Sequence, residues 1–423
     1  DFLYQGLHFT QGPLSSSVYD SRYLGSPQDP ASLFECENLQ TITLGDDVKT
    51  VGSNIFSKLS SLTSLTIGSG VTSIGSHAFD GATSLTSLTI PNSVTTISGS
   101  VFSGLSSLTS LTIGSGVTSI GSNAFGGATS ITSITVPDSV TTISSSAFSG
   151  LSSLESITLG SSVTSIGGSA FAGTALKSLV IPDSVTSIGS YAFQDATGLT
   201  SLVIPDSVTS IGNDAFHGAT GLTSVTFGSG MKTIGNGAFA GATGLTSVTF
   251  GSGVETIGNE AFKGTSSLTS VTIGSGVTSI GEQAFYGSGV TSVTIPDSVT
   301  SIGALAFAKV PIKTLVVGKG LADQSSIGGG AFYGVCPTLE SVSINSPNAL
   351  GRGEQRTGRF PWMTYIDSGG STYQFYDYIY QGLHFTQGSV NAAQVRNSFT
   401  NYIYRDQFGS PRDPASLFEC ENL

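Results

Sequence analysis

Few residues of this chain have a type and spacing that could support catalysis or metal binding. His8 and His384 occupy the same position of a duplicated segment, whereas His77 and His217 each lie near a phenylalanine of a repeated motif. The three cysteines lack the CxxC spacing of a metal or redox site. The glycine-rich stretch 328–330 lacks the lysine of a phosphate-binding loop. We therefore expect no catalytic residues, no metal, no cofactor and no enzymatic activity.

The cysteines occupy one recurring position. Cys36, Cys336 and Cys420 each stand three residues before a leucine, where other copies of the motif have a small residue such as Ala82. A free cysteine behaves as a small buried apolar residue, which suits this position. A disulfide between the N-terminal flank and the final repeat is the alternative, and spacing alone leaves it open.

Acidic residues recur at one turn of the motif, at Asp138, Asp183, Asp206 and Asp297. Carboxylates placed at corresponding turns could form a ridge that binds Ca²⁺ weakly. Aspartate also favours turns by hydrogen bonding to nearby backbone groups. We favour the turn role and predict no metal site.

One phrase of about 23 residues positions almost all of these side chains, and it recurs thirteen times between Leu39 and Thr338. Its cleanest copy, residues 62–84, reads LTSLTIGSGVTSIGSHAFDGATS. The apolar residues at its first, fourth and sixth positions predict a short, half-buried strand. The following Gly-Ser-Gly, or Pro-Asp-Ser in other copies, predicts a turn.

The rest of the phrase supplies further apolar groups. Val71 and Ile74 are predicted to point inward, and Ala78 and Phe79 contribute one aromatic ring per coil. Because no single copy can bury these groups alone, the copies must stack against one another. The sequence therefore predicts a repeat solenoid with a parallel β-sheet of about 13 short strands, joined by turns and short helical segments.

The motif order LxxLxI, Gly-Ser-Gly or Pro-Asp-Ser, VTSIG and xAFxG resembles the BspA-like class of leucine-rich repeats, over about residues 39–345. The resemblance implies a leucine-rich repeat fold in a secreted or cell-surface protein that adheres to host or matrix components. It implies no catalytic residues. We divide the chain into an N-terminal flank module (1–38), the solenoid (39–350) and a C-terminal joint module (351–423), both flanks being rich in aromatic residues.

Composition narrows the class of partner. The formal net charge of −12 argues against nucleic acid. No run of 18 apolar residues is present, so we expect no membrane span. The chain begins at Asp1 without a methionine or a leader sequence, which suggests a processed or internally cut product. We expect an extracellular or cell-surface location.

The outward positions of the predicted strands form a candidate ligand face. Alternation places Ser and Thr outward in successive strands, at Ser64, Thr66, Ser87, Thr89, Ser110 and Thr112. These hydroxyl columns keep a parallel sheet soluble, or they form a regular lattice that binds ice or a polysaccharide. Val180 and Val203 interrupt the threonine column in adjacent coils, and their apolar side chains are a second candidate contact.

The flanks hold the residue types that are common at protein interfaces. All seven arginines lie outside the repeats and all eight lysines lie inside them, while the flanks contain the single Trp and ten of the thirteen Tyr. These segments are caps for the solenoid ends, assembly interfaces, or both. The candidate interface residues are Tyr4, His8, Phe9, Arg22, Arg356, Arg359, Trp362, Tyr376, Tyr378, Tyr380, His384, Phe385, Arg405 and Arg412.

Residues 377–423 repeat residues 1–39 in altered form. The sequence YQGLHFTQG occurs at 4–12 and again at 380–388. Since Leu39 opens the first repeat strand, we expect another array after Leu423, and hence a filament in which this chain joins copies of itself end to end, covalently or by association. The alternative is an adhesin that binds matrix protein or glycan through the Ser/Thr-lined face or the valine pair.

Overall fold

The computed structural model describes residues 38–321, 326–335 and 338–344, with the backbone alone at Val342 and Ile344, and outside these ranges the backbone of seven short flank strands. The chain divides into two compact units, Asp1–Ala219 and Thr220–Leu423. Each unit is a parallel β-solenoid, in which successive coils stack through in-register strands. No helix among the described residues is long and apolar enough to cross a membrane.

The first strand of each coil forms the first column, which lies where the LxxLxI motif predicts it. Within the strand Ser64–Ile67, Leu65 and Ile67 are buried while Ser64 and Thr66 are exposed. The thirteen described strands of this column confirm the predicted sheet. In the first unit they are Thr41–Leu44, Ser64–Ile67, Ser87–Ile90, Ser110–Ile113, Ser133–Thr135, Ser156–Thr158 and Ser201–Ile204. In the second unit they are Ser224–Phe227, Ser247–Thr249, Ser270–Thr272, Ser292–Ile295, Thr314–Val317 and Ser341–Ile344.

A second column of two-residue strands follows the turn in each coil. Ile74 pairs in parallel register with Ile97, and both are buried. The first unit contains Thr50–Val51, Ser73–Ile74, Thr96–Ile97, Ser119–Ile120, Thr142–Ile143, Ser165–Ile166, Ser187–Ile188 and Ser210–Ile211. The second contains Thr233–Ile234, Thr256–Ile257, Ser279–Ile280 and Ser301–Ile302. The sequence predicted the inward residues but not these strands, because two residues are too few to show an alternation.

The Ala-Phe segment forms turns. Of the short helical segments that we expected, the described residues show a 3₁₀ conformation at Ser326 and no α-helix. Two residues of the Ala-Phe segment, His77 and Gly81, have left-handed φ values of 58° and 78°. Such values interrupt a right-handed helix. The N–H groups instead bond across coils: Phe79 donates to the carbonyl of Val101 at 3.0 Å and Gly81 to that of Ser103 at 2.9 Å. We call this side of each coil the turn face.

Phenylalanine rings stack along the core beneath the turn face. In the first unit, adjacent rings from Phe56 to Phe216 have centroids 5.1–5.7 Å apart and planes within 17° of parallel. In the second unit, the rings from Phe239 to Phe332 are 5.1–5.4 Å apart. Each such ring pair contributes about 0.5–1.5 kcal/mol beyond the area that it buries. The core is therefore continuous within each unit.

Flank strands pair with the terminal array strands. In the first unit, Leu7–Phe9 pairs antiparallel with Thr41–Leu44, and Phe2–Tyr4 pairs antiparallel with Leu7–Phe9. In the second unit, Val390–Asn391 pairs antiparallel with Ser341–Ile344. A separate four-stranded sheet consists of Met363–Ile366, Thr372–Gln374, Tyr404–Arg405 and Phe418–Glu419. The strands Leu7–Phe9 and Val390–Asn391 cover edges of the array that parallel stacking would otherwise leave open.

Candidate functional site

The predicted Ser/Thr face is present as two exposed columns. Ser64 pairs with Thr41 and Thr66 with Thr43 in register, and the next described pair of strands aligns in the same way. The six serine and threonine positions named from the sequence are exposed: Ser64, Thr66, Ser87, Thr89, Ser110 and Thr112. Backbone pairing thus holds hydroxyl groups of successive coils side by side. A ligand role for this face stays a prediction.

The valine pair is exposed. Val180 and Val203 have exposed fractions of 79% and 64%, higher than those of the other exposed large apolar residues in the described part of the chain. The coil that contains Val180 has no first-column strand, so the column is interrupted there. Three residues before Val180, Lys177 Nζ lies 2.7 Å from Glu155 Oε1. The coil of Val180 therefore has an exposed valine and an ion pair with the preceding coil.

A column of threonines along the second column of strands was not identified from the sequence. Thr118 Oγ1 donates to the carbonyl of Thr95 at 3.1 Å, and Thr141 Oγ1 donates to that of Thr118 at 3.2 Å. The same bond recurs at Thr164 and Thr186. Each hydroxyl is thereby fixed against the preceding coil. The constant threonine of the VTSIG motif was the signal that could have revealed this column.

The turn carboxylates cap the turn of the next coil. Asp138 Oδ1 accepts hydrogen bonds from Ser161 N at 2.7 Å and from Ser161 Oγ at 3.0 Å. These two bonds, the backbone bond first, lower the pKa of Asp138. Asp46 and Ser69 repeat the arrangement. Among the described residues no group of three or more His, Cys, Asp or Glu could hold a metal ion, and the geometry supports the turn role.

A cluster of lysine and tyrosine lies on the turn face of the second unit. Lys263 Nζ and Lys309 Nζ lie 5.7 and 5.4 Å from the centroid of the Tyr286 ring. Lys263 Nζ is also 3.0 Å from Glu260 Oε2. A hydrogen bond with Tyr286 raises the pKa of Lys309, and electrostatic interactions with Tyr286 and Tyr333 raise it further. The sequence signal was bulky side chains at positions where other copies have small ones.

The flank candidates are only partly described. His8 pairs with Thr43 and Phe9 with Ile42, whereas Tyr4 is one strand further out. Arg405 pairs with Tyr373 in the four-stranded sheet. The remaining candidates lie outside the described residues: Arg22, Arg356, Arg359, Trp362, Tyr376, Tyr378, Tyr380, His384, Phe385 and Arg412. Cys36, Cys336 and Cys420 lie outside them as well.

Stacked coils that repeat one short apolar strand motif are typical of leucine-rich repeat proteins. The family model described as "BspA type Leucine rich repeat region (6 copies)" matches residues 30–150, 73–199, 118–246, 187–313 and 232–351. This chain belongs to the BspA-type leucine-rich repeat family. The match begins at residue 30, inside the segment that we assigned to the N-terminal flank.

Two solved structures that are similar to this chain come from bacteria. A leucine-rich repeat protein from Bacteroides ovatus has 26% sequence identity and a TM-score of 0.57, over 81% of this chain and 94% of that chain. A leucine rich cell surface protein from Faecalibacterium prausnitzii has 27% identity and a TM-score of 0.41, over 71% and 83%. A search of curated proteins found no match.

Proposed function

We propose that this chain is a structural segment of an extracellular filament, in which flank modules join successive leucine-rich repeat arrays. One observation supports the proposal above others. The strand Leu7–Phe9 closes the edge of Thr41–Leu44 by antiparallel pairing, and its sequence is present a second time at residues 383–385. One chain therefore contains two copies of the sequence Leu-His-Phe, and its first unit has one array edge, that of Thr41–Leu44, with which this sequence pairs.

The second copy suits an exchange between chains. An array edge presents backbone N–H and C=O groups in a row, and a strand of matching sequence can pair with it. When residues 383–385 of one chain replace Leu7–Phe9 on the first array strand of another, the contact is head to tail. Such heterologous contacts do not close, and they produce an open polymer. In a covalent tandem the same module lies between two arrays of one longer chain.

An extracellular or cell-surface location is part of the proposal. It rests on the family resemblance, because BspA-like repeats are typical of secreted and cell-surface proteins. The low share of charged residues, 10%, fits an array whose exposed strand positions are mainly serine and threonine. No catalytic step is proposed.

Electron microscopy of native material and of the purified full chain tests the filament. We expect fibres with a constant axial repeat, and denaturing gels then distinguish a covalent tandem from separate chains. Discrete particles without end-to-end contacts, at all protein concentrations, contradict the proposal.

Two proline variants test the exchange itself. Proline removes a backbone N–H and is not tolerated in a paired strand. His384→Pro disables the donor copy and should leave single arrays, whereas His8→Pro weakens the chain's own cap and should increase polymer length. His384→Gln keeps the backbone N–H and serves as the matched control. Sedimentation velocity separates these cases, and unchanged polymerisation of His384→Pro refutes exchange.

An adhesin is the second candidate, and the exposure of Val180 and Val203 favours it. Exposed apolar residues beside charged ones are common at protein contacts. The double variant Val180→Thr, Val203→Thr restores the threonine column, so it should lower binding to immobilised matrix protein or glycan while leaving the melting temperature unchanged. Thr89→Val, on the same face, is the control. Equal binding by the unaltered chain, the double variant and Thr89→Val argues against a contact through Val180 and Val203.

A further inference from the structure

Variation between coils is concentrated on the turn face. The outward positions of the two strand columns repeat serine and threonine with few changes, whereas the positions beside each core phenylalanine include His77, Tyr191, Glu260, Lys263 and Tyr286. A surface with the same side chain in every coil offers a partner the same contact in every coil. A partner that binds at one position along the array must therefore contact side chains that differ between coils, and most of these lie on the turn face.

The densest group of such residues is the tyrosine–lysine patch, formed by Lys263, Tyr286, Lys309 and Tyr333. Both lysine ammonium groups lie within 6 Å of the Tyr286 ring centroid, at 5.7 and 5.4 Å. Tyr333 is 36% exposed and Tyr286 is half-buried. The two tyrosines are two coils apart, which corresponds to about 10 Å at the spacing of parallel strands. Lys309 lies between them: its ammonium group approaches the Tyr286 ring, and its backbone N–H donates to the carbonyl of Tyr333 at 2.7 Å.

The two lysines differ in their charge partners. Lys263 is paired with Glu260 at 3.0 Å, so its charge is largely balanced. Within the described part of the chain, no carboxylate forms an ion pair with Lys309. Lys309 is an exposed residue, and a lysine side chain is protonated at neutral pH. On a chain with a net charge of −12, Lys309 is a localised cation beside the Tyr286 ring.

We propose that the tyrosine–lysine patch binds a carboxylated polysaccharide. The C–H face of a pyranose ring is apolar and packs against an aromatic ring, while tyrosine hydroxyl groups donate to sugar oxygens. A carboxylate on the same or the next sugar accepts a charge-assisted hydrogen bond from Lys309. The Tyr286 and Tyr333 rings, about 10 Å apart along the stack of coils, could contact separate sugars of one linear polysaccharide that runs along the stack. This site is on another face from the Ser/Thr columns and does not depend on the filament.

The test measures binding of the full chain to polygalacturonate, with neutral dextran and poly-L-glutamate as comparison probes. We expect binding to polygalacturonate that weakens with added salt, and at least tenfold weaker binding to the other two. Lys309→Met and Tyr286→Ala should each weaken polygalacturonate binding about tenfold, because each removes a direct contact. Tyr286→Phe should keep most of the affinity, since the ring remains.

Matched controls separate the patch from general charge effects. Lys319→Met removes an exposed lysine of the same unit, and Tyr191→Ala removes an exposed tyrosine of the turn face in the first unit. Both should bind polygalacturonate within twofold of the unaltered chain, and melting temperatures confirm that all variants fold. Absence of binding by the unaltered chain overturns the proposal. Equal losses in Lys319→Met and Lys309→Met, or equally tight binding of poly-L-glutamate, also overturn it.

Discussion

Removing one ring from the phenylalanine stack should destabilise the first unit by an amount that the geometry allows us to estimate. Phe148 is fully buried between Phe125 and Phe171, at centroid distances of 5.5 and 5.4 Å and with interplanar angles of 3° and 9°. Phe148→Ala removes the ring and leaves a cavity, which costs about 3–5 kcal/mol in a packed core. The two ring contacts account for about 1–3 kcal/mol of that loss.

A double-mutant cycle isolates the stacking contribution. Phe125→Leu and Phe148→Leu alter adjacent rings, and we expect a coupling energy of about 0.5–1.5 kcal/mol between them. Phe102→Leu and Phe148→Leu alter rings that are separated by Phe125, so their effects should add within about 0.5 kcal/mol. The second pair is the control, because it uses the same substitutions without direct contact.

Urea unfolding, followed by circular dichroism, supplies the free energies if the slope m is equal among the variants. Hydrogen exchange of peptides from coils near Phe148 localises the effect, since coils of a repeat protein contact mainly their neighbours. Equal coupling in the adjacent and separated pairs would show that stacking adds nothing to burial. A loss below about 1 kcal/mol for Phe148→Ala would refute the cavity argument.

Two further predictions concern the turns. A Cβ atom on Gly70 would lie 1.6 Å from the carbonyl oxygen of Asp46, so Gly70→Ala should lower the free energy of unfolding by about 3 kcal/mol. Gly329→Ala, where a Cβ meets nothing within 4 Å, should change it by less than about 0.5 kcal/mol, and equal melting temperatures for the two variants would contradict this. Because its folded-state pKa is lowered, Asp138 stabilises the fold above its unfolded pKa of about 4, and this contribution is lost as the pH falls through the folded value. Asp138→Asn keeps an oxygen acceptor for Ser161, so melting temperatures between pH 5 and 2 should depend less on pH; an unchanged dependence would refute the role of this carboxylate.

The inward residues of each coil were predictable because their types recur at fixed positions. Leu62, Leu65 and Ile67 of the LxxLxI motif are buried as predicted, and so are Val71 and Phe79 further along the same coil. Exposure of the Ser/Thr columns follows from the same alternation. Local patterning was sufficient here, because burial of apolar groups is a property of residue type and period.

Other features depend on contacts between coils. The left-handed residues of the turn face cost conformational energy that cross-coil hydrogen bonds offset, and those bonds exist only in the stack. The tyrosine–lysine patch was also missed, since Tyr286 and Lys309 come from different coils.

The class of fold and the inward residues of each coil could be predicted from the amino-acid sequence, because stacking similar coils is what buries a repeated apolar period. The contacts between side chains of different coils became known from the folded array. It brought Lys309 to Tyr286 and Asp138 to Ser161, in each case by placing residues about one repeat apart at neighbouring positions. Such pairs depend on how the coils stack, and coils of 22 and 23 residues keep equivalent bonds, as Thr186 to Thr164 and Thr164 to Thr141 show.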